Sequence, residues 1–196
     1  MNRRRDRRTV SLVRPVAIVA AFIVLSHPMG APLAAPNDDL RPAAEQGDAN
    51  AQYRMGIYYQ QGLGVPQDYA EAARWYRRSA LQGHANARFG LGALYLAGLG
   101  VRRDPSEAAR WFRLAAGQGV AAAQVELGVL YASGVGVKRD PVQAYHWLEI
   151  AASRSPAADP AYRARAAQER DAVAATMTPE QIADAQRLAA AFTPAP

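Results

Sequence analysis

The sequence predicts an all-α fold: an α/α solenoid of three 36-residue helix-turn-helix units with helical caps at both ends. Three observations carry this expectation. Gln46-Gly47, Gln82-Gly83 and Gln118-Gly119 follow one another at a step of 36. The units they mark off, 48–83, 84–119 and 120–155, align without insertion and share whole columns, among them Gly56/Gly92/Gly128, Tyr59/Tyr95/Tyr131, Gly64/Gly100/Gly136, Asp68/Asp104/Asp140 and Trp75/Trp111/Trp147. Finally, 44 of the 196 residues are alanine, the strongest helix former and small enough to let helices approach closely.

Residues 1–35 read as a signal peptide. Six arginines between Arg3 and Arg14 precede ten uncharged residues, 16–25, and then a run of small residues up to Ala35. That apolar core is short of the ~20 residues a transmembrane helix needs. Cleavage is expected within 30–35, the alternative being an uncleaved anchor in the inner membrane. Both place the body outside the cytoplasm, periplasmic or secreted. The net charge of +6 belongs mostly to this leader, and the remaining 161 residues are balanced to within one charge. A near-neutral body lacks the clustered excess of Lys and Arg that attracts phosphate, so nucleic acid is not an expected partner. The chain has no cysteine, which excludes disulfides, thiolate metal sites and cysteine nucleophiles.

Within each unit the first helix is expected over about 49–61 and its equivalents, ending at Gly62, Gly98 and Gly134, where glycine can take the left-handed conformation. The second helix starts after Asp68, Asp104 or Asp140. Each of these is followed three residues on by Glu71, Glu107 or Gln143, the spacing of a capping box. Gly56 and Ala72 leave room for a close crossing, and Trp75 and Tyr59 fill the wider ends. Residues 36–47 match the end of a second helix and form an N-terminal cap. After residue 155 the register is lost. A polar helix over about 161–175 and a last helix opened by Thr178-Pro179-Glu180-Gln181 make the C-terminal cap, 156–192, with 193–196 frayed.

The unit Ala-x-Ala-Gln-Tyr-x-Met-Gly…Tyr…Gly-x-Gly-Val-x-x-Asp-Tyr-x-Glu-Ala…Trp-Tyr…Ala-x-Gln-Gly, running from Ala49 to Gly83, resembles the Sel-1-like repeat (SLR), a branch of the tetratricopeptide-type solenoids. The resemblance covers about 40–155. It implies a right-handed superhelix whose first helices line the concave side, serving as a protein-interaction scaffold. Exported bacterial members are often linked to envelope signalling or to surface and host interaction. A β-lactamase-like label given to some cysteine-rich members does not carry over. There is no Cys here, and the single lysine, Lys138, stands three residues after no serine.

The Gly-x-Gly loops are not phosphate cradles, because they follow helices and have Gln67, Arg103 or Arg139 where a third glycine is required. His84 and His146 fall in different units without a ligand-spaced partner, so neither metal nor cofactor is expected. Arg74, Arg77, Arg78, Arg110 and Arg113 read as a solvated outer face interspersed with acids. A partner, a protein or peptide, is expected on a stripe of the first helices at i, i+3, i+7 and i+10: Asn50, Tyr53, Ile57 and Gln60 in unit 1, Asn86, Phe89, Ala93 and Leu96 in unit 2, Val125 and Val129 in unit 3. Tyr53, Phe89 and Val125 read equally well as core between helices. The function read from this is a non-catalytic adaptor of the envelope that holds a short peptide or one helix. The alternatives are a cell-wall-associated hydrolase or binding protein with an unrecognised site, and self-association through a solenoid end.

Overall fold

A computed structural model describes residues 37–154 and 160–195. The expected leader, 1–35, lies outside the described residues. Among the described residues there are nine helices and no strand: α1 (Asn37–Glu45), α2 (Ala49–Gln61), α3 (Tyr69–Leu81), α4 (Ala85–Ala97), α5 (Pro105–Gly117), α6 (Ala121–Ser133), α7 (Pro141–Arg154), α8 (Pro160–Ala174) and α9 (Pro179–Ala191). The pairs α2/α3, α4/α5 and α6/α7 are the three hairpins, and each helix from α1 to α8 packs on its neighbours in sequence. The chain is an all-α solenoid.

Local chemistry sets the helix ends. Gly62, Gly98 and Gly134 take φ of 70°, 73° and 74° and donate their N–H groups to Tyr58, Leu94 and Leu130 carbonyls. Asp68 Oδ1 accepts from the N–H groups of Ala70 and Glu71, Asp104 Oδ1 from Ser106 and Glu107, and Asp140 Oδ1 from Gln143. The expected capping box is only half present at these three sites. The cap's own N–H, which a Glu side chain would accept, is already donated to the carbonyl of Tyr59, Tyr95 or Tyr131 at 2.8–3.0 Å. Glu71 and Glu107 turn instead to Arg74 and Arg110 one turn on. The full box appears at α9, where Thr178 and Gln181 exchange both bonds.

Two adjacent residues of each second helix divide the packing. Trp75 faces backward, into a cluster with Ala44 of α1 and Ala51 and Met55 of α2. Tyr76 faces forward, into a cluster with Ala87, Leu91 and Leu94 of α4. Roughly 100° separates successive side chains on a helix, so this pair reaches both neighbouring repeats at once. A Cβ on Gly56, Gly92 or Gly128 would lie 2.4–2.8 Å from the side chain of Tyr76, Phe112 or Leu148. The conserved-column glycine is therefore the floor under the forward-facing residue rather than under the tryptophan.

The second glycine of each loop performs a separate task. A Cβ on Gly100 would fall 2.1 Å from the Tyr69 carbonyl carbon, and one on Gly136 would fall 2.3 Å from the Pro105 carbonyl oxygen. Each loop thus lies directly on the start of the preceding repeat's second helix. The first glycine caps, and the second stacks one repeat on the next.

The C-terminal cap covers more than its polar sequence suggests. α8 packs on α7 and α6, burying Ala166 and Val173 against Val125 and Leu148. Arg165 Nη1 lies 2.6 Å from Glu126 Oε1, a carboxylate whose side chain is only 7% exposed. α9 packs on α7. The chain beyond α9 folds back over the second repeat, where Ala195 N–H donates to the Gly117 carbonyl at 2.8 Å. Arg154 holds this return by donating to the Phe192 and Ala190 carbonyls, and Phe192 meets Trp147 edge-on at 5.6 Å.

Candidate functional site

The ten residues expected to meet a partner fall into three environments. Asn50 and Asn86 are exposed, and Tyr53, Ile57, Phe89 and Val129 are half-buried. Gln60, Ala93, Leu96 and Val125 are buried and belong to the core. The reasons differ. Gln60 accepts the Tyr76 hydroxyl proton inside repeat 1. Leu96 and Ala93 pack with Phe112 and Leu127 between repeats 2 and 3. Val125 is roofed by α8. Tyr53 and Phe89 serve partly as inter-helix packing, their rings 5.9 Å and 5.6 Å from Tyr76 and Phe112.

The open edge of the face is rotated by about one position from the expected stripe. Arg54 and Ser133 are exposed, and Gln61 and Ala97 are partly so. Together with Asn50, Ile57, Asn86 and Val129 these residues follow i, i+4, i+7, i+11 along a helix. A cleft of about 50 Å³ between α6 and α8 continues this face, lined by Val129, Ala132, Ser133, Glu169 and Val173 among others. The sequence signal for this rotation was the repeated apolar character of the 60/96/132 column, whose Gln60 conceals it.

Polar side chains that sequence alone leaves as surface decoration are ties repeated every 36 residues. Gln67, Arg103 and Arg139 donate to the last carbonyls of the preceding helix, on Gln60, Leu96 and Ala132. Gln52, Arg88 and Gln124 reach back to the carbonyls of Ala44, Ala80 and Ala116. Arg41, Arg77 and Arg113 donate to the hydroxyls of Tyr59, Tyr95 and Tyr131, each 18 residues on. Arg77 and Arg113 are therefore not merely solvated. Arg78 and Arg110 lie over the Trp75 and Trp111 rings at 4.8 Å, which shields indoles that are otherwise almost buried.

Two histidines sit in the repeats. His84 Nδ1 accepts the Ala87 N–H as the N-cap of α4, and its ring stacks on Tyr53 at 4.5 Å. Burial holds its pKa below the usual imidazole value. His146 is buried in α7, with its pKa likewise lowered by burial. Among the described residues no three His, Asp or Glu side chains converge so as to hold a metal ion. None of the described helices is long and apolar enough to cross a membrane.

Stacked hairpins that share a face of first helices define an α/α-repeat solenoid, a class built to present an extended binding surface. The Sel1 repeat family model matches residues 49–84, 85–120 and 121–156, and the chain belongs to that family. Proteins of Sel1 repeats are generally protein-interaction scaffolds. The crystal structure of a protective antigen of uropathogenic Escherichia coli strains, which displays an SLR fold, superposes with a TM-score of 0.67 at 37% identity, over 78% of this chain and 31% of that one. A Sel1 repeat protein from Oxalobacter formigenes superposes with a TM-score of 0.59 at 36% identity, over 68% of this chain and 96% of that one. The chitin synthase regulator SKT5 of Malassezia restricta is 49% identical over 37 residues, which is 19% of this chain and 3% of the regulator. The chain thus spans about a third of the antigen and a single repeat's worth of the regulator.

Proposed function

We propose that this protein is an exported, non-catalytic adaptor of the bacterial envelope that holds a short peptide or one helix against the α2–α4–α6 face. The observation that carries the reading is the set of exposed or half-exposed side chains recurring on three successive helices, Asn50 and Ile57, Asn86 and Phe89, then Val129. Amides beside apolar edges suit a peptide, whose backbone needs hydrogen bonds and whose side chains need apolar contact. The order of residues in the leader, basic, then apolar, then small, supports export. Because α8 roofs Val125 and pairs with Glu126, repeats 1 and 2 supply most of the floor. Helices spaced ~9 Å apart then offer about 20 Å, room for about six extended residues. A contact of that size gives a small interface of micromolar class.

The test is capture from envelope extracts by the wild type and by a triple variant, Asn50→Ala, Ile57→Glu and Asn86→Ala. Asn50 and Asn86 are exposed, and Ile57 is half-buried at the edge of the core. The partner is lost on substitution while the helical circular dichroism persists. Undiminished capture by the triple variant would remove the face from the binding function. A leader fusion to an alkaline phosphatase active only outside the cytoplasm tests export in parallel.

A further inference from the structure

A second cleft opens where the loop of repeat 3 meets the start of α9, sharing Arg139 and Pro141 with the cleft between α6 and α8. An open cleft of about 510 Å³ is lined by Arg113, Lys138 and Arg139 with Tyr131, Val137, Pro141 and Val142. The acid on its wall, Asp140, spends Oδ1 on the Gln143 N–H as the N-cap of α7. Gln181, the remaining lining residue, accepts from the Thr178 N–H through its side chain, and Glu180 beside it is fully exposed. Arg113 and Arg139 are fixed by the Tyr131 hydroxyl and the Ala132 carbonyl, each through one nitrogen. Their guanidinium groups hold further N–H donors beyond those bonds.

The loop of repeat 2 ends just before Pro105, the first residue of α5, on which Gly136 of the repeat 3 loop rests. That loop carries Arg102 and Arg103, both exposed. Its one acid, Asp104, is again an N-cap. Neither Arg102 nor Lys138 has a hydrogen bond or ion pair among the described residues. Two successive loops therefore present basic pairs one repeat apart, with an apolar patch of Tyr131, Val137 and Val142 between solvent and core.

We propose that this edge is a docking site for an acidic peptide segment, with carboxylates on either side of an apolar residue. Charge complementarity selects the acid, and the half-buried apolar lining selects a polypeptide over a nucleic acid, which the near-neutral body does not attract. Repeats about 10 Å apart correspond to about three residues of extended chain at ~3.3 Å each, which sets the spacing of the two carboxylates. The site adjoins the α6–α8 end of the face assigned to the adaptor function but includes none of Asn50, Ile57 and Asn86, so the two assignments are tested separately.

The experiment measures binding of fluorescein-labelled peptides to the full chain. The probes are Glu-Leu-Gly-Glu repeated twice, the same peptide with Lys for Glu, and a 12-nucleotide single-stranded DNA. The Glu peptide binds at least tenfold more tightly than the Lys peptide, and its affinity falls several-fold between about 50 and 300 mM NaCl. Arg102→Glu with Lys138→Glu weakens it at least tenfold and leaves the melting temperature unchanged, since both side chains are exposed and unpaired. The Asn50/Ile57/Asn86 triple variant binds it as the wild type does. Equal binding of the two peptides, tighter binding of the DNA, or unchanged affinity in the charge-reversed variant would each overturn the assignment.

Discussion

The hydroxyl of Tyr76 donates to Oε1 of Gln60 within repeat 1, and the same two positions in repeat 2 are Phe112 and Leu96. The pair is thus exchanged as a unit, polar with polar and apolar with apolar, inside otherwise equivalent packing. Both residues of repeat 1 are buried, and burial drives the Tyr76 pKa far upward, so the hydroxyl stays protonated and must find an acceptor. Gln60→Leu strands that hydroxyl and costs about 1–3 kcal/mol in urea unfolding. Adding Tyr76→Phe restores stability to within about 1 kcal/mol of wild type, since the double variant reproduces repeat 2. A coupling near zero in the double-mutant cycle would separate the two residues energetically.

Glycines in this chain differ in kind, and alanine replacements separate them. Gly136 has φ of 70° and no space for a Cβ, which would meet the Pro105 carbonyl at 2.3 Å. Gly136→Ala therefore combines left-handed strain with a clash between repeats, about 2–4 kcal/mol. Gly134→Ala meets the Arg139 Cβ at 3.2 Å and its backbone no closer than 3.5 Å, so it loses chiefly the strain, about 1–2 kcal/mol. Gly117, at the end of α5, has nothing within 4 Å and an ordinary φ. Gly117→Ala gains about 0.4–1 kcal/mol. Chemical denaturation of the three variants checks the order, and a Gly136 variant as stable as the Gly134 one would deny the loop-on-helix contact its role.

Much of this architecture is legible in the amino-acid order because its signals are local. Asp68 and Gly62 fix helix ends through atoms within a few residues of themselves, and repetition triples the signal. The face was less legible because burial at positions 60, 96 and 125 depends on what comes to lie above them. Val125 is covered by Ala166 and Val173 of α8, a helix with few large apolar residues and no repeat register to place it. The Arg113–Tyr131 tie was readable, since Arg41, Arg77 and Arg113 each precede a tyrosine by 18 residues, but only as a spacing between two helices. The return of the tail to Gly117 leaves no trace in sequence, because it is made by a backbone N–H that every residue but proline carries.

His84 makes the boundary of repeats 1 and 2 sensitive to acid. Its Nδ1 must be unprotonated to accept from Ala87, and burial lowers its pKa in the folded chain below the ~6.5 of the unfolded one. The unfolded chain then binds the proton more readily, so stability is complete above about pH 6.5 and is lost as pH falls through the lowered value. The loss approaches that of an N-cap, about 1 kcal/mol. Nearby Asp48 opposes the shift, and buried His146 adds a loss of the same sign. His84→Asn keeps a cap without a titrating group or a charge beside Asp48. Urea unfolding at pH 7.5 and 5.0 shows a smaller drop for the variant than for the wild type, and equal drops would move the acid sensitivity elsewhere.

Trp111 couples repeat 2 to repeat 1. The residue is 5% exposed and packs from α5 onto the α3–α4 cluster of Ala72, Ala80, Leu91 and Leu94, with Arg110 lying over its ring. Trp111→Ala removes a large ring from the junction of repeats 1 and 2 and costs about 3–5 kcal/mol. The indole Nε1–H is buried without an acceptor among the described atoms, so part of the tryptophan's packing gain is offset by an unpaired donor. Trp111→Phe sheds that donor while keeping an aromatic ring, and it costs less than half as much as the alanine variant. In a stack where each repeat contacts only its neighbours, weakening the central junction also uncouples the halves, so the alanine variant unfolds over a broader denaturant range. Thermal and urea melts of both variants decide this, and an alanine variant melting within a degree of wild type would mean that the junction is held without the indole.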